Sequence, residues 1–239
     1  MKRVREYVDQ QRSAFSRNKL FSFLGDTSIE PKRRLTFIPF LAHFVMTFAD
    51  LYNFVLPEHP PSDRYQNLVN AHLSEDATHW KWYLADLANA DLDPTMRFTD
   101  ALRFVWSGAT RKTRMLSYGI CRLSAGMTTR EKLVMVNCIE AAGGVALDAA
   151  ALAGNALEPS LGRKLVYFGS HHVDTEGAHT LEKPTVRESL DEVVLTEAER
   201  AALRSIVDQA FNYFVDSIDE VFALAQSGRG FADYVEKRS

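Results

Sequence analysis

The sequence is short of the residues that staple, break or polarise a chain. Cys121 and Cys138 are the only cysteines in 239 residues, too few for a disulfide framework, and they fit a reducing, cytoplasmic compartment. Eight prolines and twelve glycines fall mainly between periodic segments, so long stretches are left free to be helical. A net charge of -3 gives no electrostatic footprint for nucleic acid. The N-terminal MKRVREYVDQ is charged and lacks the apolar centre of a secretory signal. Alternating apolar and polar residues, the mark of half-buried strands, do not form a convincing run. Long apolar runs are also scarce. Only residues 35–56 raise a membrane question, and they contain Pro39, His43, Asp50 and Asn53. A buried helix of a soluble bundle is the better reading, with no membrane partner.

What is present is helical periodicity and enough apolar residues, 46%, to fill a large core. The pattern predicts one all-α domain over residues 1–239 with about seven helices. An N-terminal amphipathic helix lies within residues 1–24, stopped by Gly25. The core follows over about 30–225, and 226–239 is a C-terminal tail. A long apolar helix is expected over 32–56, kinked near Pro39. A third spans 63–91, and 97–125 is helical but broken around Ser107 and Gly108. Thr128 and Glu131 form a capping box that opens the fifth helix. Gly154, Asn155 and Pro159 separate it from a sixth helix, which carries residues 167–180. Residues 181–195, with Pro184, read as a loop. A second capping box, Thr196 to Glu199, opens the last helix, which runs to about Ala225.

Chemistry-bearing residues gather in three places. In Y-F-G-S-H-H-V-D-T-E-G-A-H-T, residues 167–180, His172, Glu176 and His179 stand at i, i+4 and i+7, one face of a helix. In the third helix, Asp76 and His79 repeat the acid-x-x-His spacing, while His72, Glu75 and His79 offer an overlapping set. Either selection gives the mixed nitrogen and oxygen donors that iron, manganese or zinc sites use. Glu140 lies in an apolar run and needs a partner if buried, either a basic residue such as Arg122 or Arg130 or the same site. His43 and Asp50, one heptad apart, read as a buried polar pair, a further ligand source or a pocket wall. Phe44, Phe48, Tyr52 and Trp82 are candidate pocket residues. Cys138 is a buried apolar residue or a nucleophile, and His171 faces away from His172.

Taken in order, F-I-P-F-L-A-H-F-V-M-T-F-A-D-L, H-L-S-E-D-A-T-H-W-K-W-Y-L-A-D-L, I-E-A-A-G-G and Y-F-G-S-H-H-V-D-T-E-G-A-H resemble the haem-oxygenase-like superfamily over roughly residues 30–225. The nearest likeness is to its TenA-like and CADD-like branch. The resemblance implies a seven-helix bundle with an internal cavity. In the CADD-like oxidases that cavity holds two metal ions, usually iron, and the early helix of this chain leaves open one, two or none. It implies His79, for which Glu75, Asp76 and His72 compete as the partner, then Glu140, then His172, Glu176 and His179 as metal ligands, with Glu140 and Glu176 closest to the chemistry. Glu176 stands where aspartate is usual. His72, His43, Asp50, Cys138 and His171 fall around the ligands or in the pocket. Haem is not expected, because His43 is the only early axial candidate and no glycine-rich distal helix accompanies it. The function implied is a non-haem iron oxidase or oxygenase acting on a small organic substrate. The alternative is a metal-free enzyme like TenA or pyrroloquinoline-quinone synthase, or a ligand-binding protein. Phe231 and Tyr234 could serve a homodimer contact.

Overall fold

The computed structural model describes residues 1–176 and 179–229, apart from the side chains of Glu176 and Glu182. The chain runs α1 (Lys2–Phe15), α2 (Lys19–Gly25), α3 (Pro31–Arg34), α4 (Ala42–Asp50), α5 (Arg64–Asp76), α6 (Trp80–Asn89), α7 (Phe98–Val105), α8 (Arg111–Ser124), α9 (Thr129–Leu161), α10 (Ser170–Glu176), α11 (Pro184–Asp191) and α12 (Glu197–Ser227). The protein is all-α, with no strand among the described residues. Both expected capping boxes form, at Thr128 with Glu131 and at Thr196 with Glu199. They start the two longest helices, each cap contributing about 1 kcal/mol.

Several boundaries differ from the sequence reading, each for a local reason. Residues 2–24 form two helices because Asn18 caps the second, accepting the backbone N–H of Leu20. Residues 32–56 are more divided than one kinked helix. A 3₁₀ turn over Ile38–Leu41 contains Pro39, and α4 passes into a π turn over Leu51–Val55, closed by a Leu56 N–H to Leu51 C=O bond. The third helix is two, because residues 77–79 form a turn between α5 and α6. Conversely, α9 runs straight through Gly154, Asn155 and Pro159, and ends at Gly162 with φ +63°. Pro159 lies in its last turn, so the bond it removes, from position 159 to the Asn155 carbonyl, is one of the helix's last. Gly154 serves close approach instead: a Cβ there would stand 1.9 Å from the Phe168 carbonyl oxygen. The expected loop at 181–195 contains α11, with Pro184 at its first turn, a favoured helix start.

The apolar core has two parts, and both α9 and α12 run through each. One gathers Val4, Val8, Leu73, Val134, Ile139 and Phe211, with α9 contributing residues up to Ala142. The other gathers Leu24, Phe40, Tyr83, Phe168 and Val221, with α9 contributing from Ala150 onward. Between them, at Gly143, Gly144, Ala146 and Leu147, α9 borders a cavity of about 140 Å³. Two stretches, Pro31–Val55 and Thr129–Leu161, are long and apolar enough to cross a membrane by length and composition, and about half of each is buried. The sequence reading singles out only the first.

Candidate metal centre

Asp76 is the hub of the site. It ends α5, is buried, and puts Oδ1 3.3 Å from His79 Nδ1 and 3.2 Å from His179 Nδ1. Its Oδ2 lies 3.6 Å from His72 Nε2, one helical turn earlier, and that nitrogen stands 3.1 Å from Glu140 Oε1. His72, Asp76, Glu140 and His179 each offer one donor atom such that all four atoms lie within 4.8 Å of one another. His72 is fully buried. Neither of its ring nitrogens makes a hydrogen bond of good geometry, although one is so close to a carboxylate. Nitrogen and oxygen atoms that converge on a point rather than on one another are arranged as a coordination shell is. A group that could hold a metal ion is therefore present, built from two imidazoles and two carboxylates on three separate parts of the chain.

A second pair of imidazoles adjoins this group. His79 stacks on Trp82, with ring centroids 4.1 Å apart and an angle of 17°. His172 Nε2 lies 3.2 Å from His79 Nδ1. The other nitrogen of His172, Nδ1, is 3.0 Å from the Tyr167 carbonyl oxygen. A carbonyl only accepts, so Nδ1 carries a proton, and in the neutral ring Nε2 turns its lone pair toward His79. Fixing a ligand imidazole through its far nitrogen is how metal sites orient their histidines.

The turn at 77–79 settles which early residues take part. His72, Asp76 and His79 bring their nitrogens and oxygens together, while Glu75 lies at the Nδ1 side of His72, 3.9 Å away. Glu75 accepts the Thr180 N–H and hydroxyl, each at 2.8 Å. Burial pushes its carboxyl up, but those bonds, with His179 and His72 nearby, hold it below the ordinary glutamate value. Glu75 therefore anchors the residue after His179, and its oxygens are spent there. Glu140 pairs with neither basic candidate: Arg130 bridges to Glu199, and Arg122 bonds the Tyr213 hydroxyl. Glu140 accepts instead from the Tyr52 hydroxyl at 3.0 Å, a contact placed by the π turn. Tyr52 packs on Phe48 at 4.0 Å.

The remaining candidates divide. Phe44 and Phe48 line the cavity, together with Asp76, His79, Glu140 and His172. Asp50 is exposed, so it forms no buried pair with His43 and no part of the pocket. His43 instead bonds Ser117 and Tyr118 from the outer side of α4. Cys138 is buried in the first core cluster away from the cavity, and burial pushes its thiol far up, which removes the nucleophile reading. His171 is exposed and meets only the edge of Trp82 among the described rings. The Glu176 side chain, Phe231 and Tyr234 lie outside the described residues.

One supporting residue escapes the sequence reading. Asp86, fully buried on α6, accepts the backbone N–H groups of Val166, Tyr167 and Phe168 at 2.8, 2.8 and 2.9 Å. It thus holds the loop whose Tyr167 carbonyl orients His172. Its only sequence signal is an aspartate inside the apolar run W-Y-L-A-D-L-A. No family model matches the chain, and no curated protein matches it.

Proposed function

We propose that the protein is a non-haem metal-dependent oxidase or oxygenase of the haem-oxygenase-like kind, binding one or two iron ions beside its cavity. The observation that carries this is the meeting of His72, Asp76, Glu140 and His179 within 4.8 Å, next to His79 and His172 and against an apolar cavity. Iron bound there would supply the capacity to activate dioxygen against an organic substrate. The chain's residues do the rest. Asp76 sits between the two imidazole groups and can serve both. Tyr52 holds Glu140 in one orientation, and Trp82 and the Tyr167 carbonyl fix the rings of His79 and His172. The phenylalanines of α4 keep water from the far side. The resemblance leaves open which of Glu75, Asp76 and His72 joins His79, and the geometry favours both Asp76 and His72.

The test is metal analysis of protein made in iron-supplemented medium, beside Asp76→Asn and His179→Ala. About one or two equivalents of iron in the wild type, lost in both variants, is the expected result. A wild-type content far below one equivalent, unchanged by the substitutions, would remove the oxidase reading. It would leave the same residues as acid–base groups of a metal-free pocket.

A further inference from the structure

The cavity wall shows what kind of molecule the site receives. The lining residues on α9 run from Ile139 to Ala150, a length of about 16 Å at 1.5 Å per residue. A volume of about 140 Å³ is small for a ligand site. Five of the α9 lining residues are small, Ala142, Gly143, Gly144, Ala146 and Ala150, and stand beside Ile139, Glu140 and Leu147. A Cβ added at Gly143 or at Gly144 would meet nothing within 4 Å. Two glycines inside a 33-residue helix weaken it, and here no backbone or side chain approaches closely enough to require them. They keep space open at the level where the two apolar cores part. The facing wall is apolar, with Phe44 and Phe48 from α4 and Phe214 from α12. All ionisable lining residues belong to the Asp76, His79, Glu140 and His172 side, and neither lysine nor arginine is among them.

We infer that the cavity binds a single flexible aliphatic chain carrying one neutral oxygen function, such as a hydroxyl or carbonyl. The chain lies along the small-residue face of α9, with its oxygen against the carboxylate and imidazole side. A small apolar cavity favours an unbranched chain over a bulky fused-ring molecule. No lysine or arginine lines the cavity to neutralise an anionic terminus, and the carboxylates of Asp76 and Glu140 already balance the charge of a divalent cation held between them, which favours a neutral oxygen function. This inference rests on the proposed reading of the cavity as the substrate site.

The test is displacement of an environment-sensitive fluorescent alkyl probe by primary alcohols of about eight to about eighteen carbons, for which buried methylenes should each tighten binding about fourfold. Metal content is measured on the same samples. Affinity should climb with length, reach an optimum and then stop rising. Gly144→Leu and Ala146→Leu should move that optimum to shorter chains. Gly144→Ala, which adds one methyl to open space, should melt no lower than the wild type and weaken only the longest chains. No displacement would overturn the inference. So would a flat length series, a tighter fused-ring compound, or a carboxylic acid binding better than the alcohol of equal length. An unchanged optimum in leucine variants that melt like the wild type would do so as well. If those variants do not fold, the wild-type length series and Gly144→Ala decide. Chain binding by metal-free protein would uphold this inference and count against the oxidase reading, while bound iron without chain binding would do the opposite.

Discussion

Asp76 and Asp86 are both buried aspartates ten positions apart, and their surroundings could hardly differ more. Asp86 faces three backbone N–H groups, all donors with nowhere else to turn. Asp76 faces imidazole nitrogens from His72, His79 and His179, which can give up a proton and accept a cation. A carboxylate surrounded by fixed backbone donors is architecture. One surrounded by titratable, lone-pair-bearing rings remains available for chemistry. The first region fixes a loop, and the second is held open by what that loop carries.

Four substitutions and conditions would break or sharpen this contrast. The largest effect is expected for Asp76→Asn. Metal affinity, read by competition with a chromophoric chelator, should fall by more than about a hundredfold. The metal-free protein should melt no lower than the wild type, because the buried charge is gone. Asp86→Ala should behave in the reverse way. Three stranded N–H groups at 1 kcal/mol or more each should cost about 3 kcal/mol or more in urea unfolding of the metal-free protein. Metal binding should survive in whatever remains folded, and an undiminished unfolding midpoint would show that Asp86 is no anchor. Glu75→Gln should weaken metal binding about tenfold by loosening the Thr180 contact beside His179, with little change in melting. Equal loss to Asp76→Asn would make Glu75 a ligand itself.

The smallest effect concerns pH. Burial pushes the Asp86 carboxyl above its ordinary value of 3.8, and the three N–H bonds recover only part of that rise. A raised carboxyl gives its stability contribution in full below 3.8 and loses it as pH rises through the folded-state value. The stability advantage of wild type over Asp86→Asn should therefore be greatest in acid and shrink as pH rises through that range, as followed by urea midpoints. An advantage that grows with pH would mean that the N–H groups outweigh burial.

Much of the helical plan was legible because caps and periodicity are local. Thr128 with Glu131 and Thr196 with Glu199 announce their helices in four residues. The break at 77–79 was not legible, since no glycine or proline marks it, nor was the Thr180 partner that occupies Glu75. Gly154 misleads in the opposite way: its signal is that of a helix end, but its cause is the Phe168 carbonyl, which belongs to another part of the chain. Within the site, Asp76, His79, Glu140 and His172 could be suspected from spacing. Choosing Asp76 over Glu75, and drawing in His72, required knowing where α5 stops. Cys138 and Asp50 show the same limit from the other side, for periodicity places a residue on a helix without saying which neighbour covers it.

The turn between α5 and α6 also bears on how the molecule is made. His72, Asp76 and His79 lie within eight residues and come together as soon as that short segment forms. Glu140 and His179 arrive only when long stretches of chain have closed, an entropic cost that falls late in folding. A nascent chain therefore carries half a donor set at most. The complete set exists only once α9 and the segment after α10 have docked.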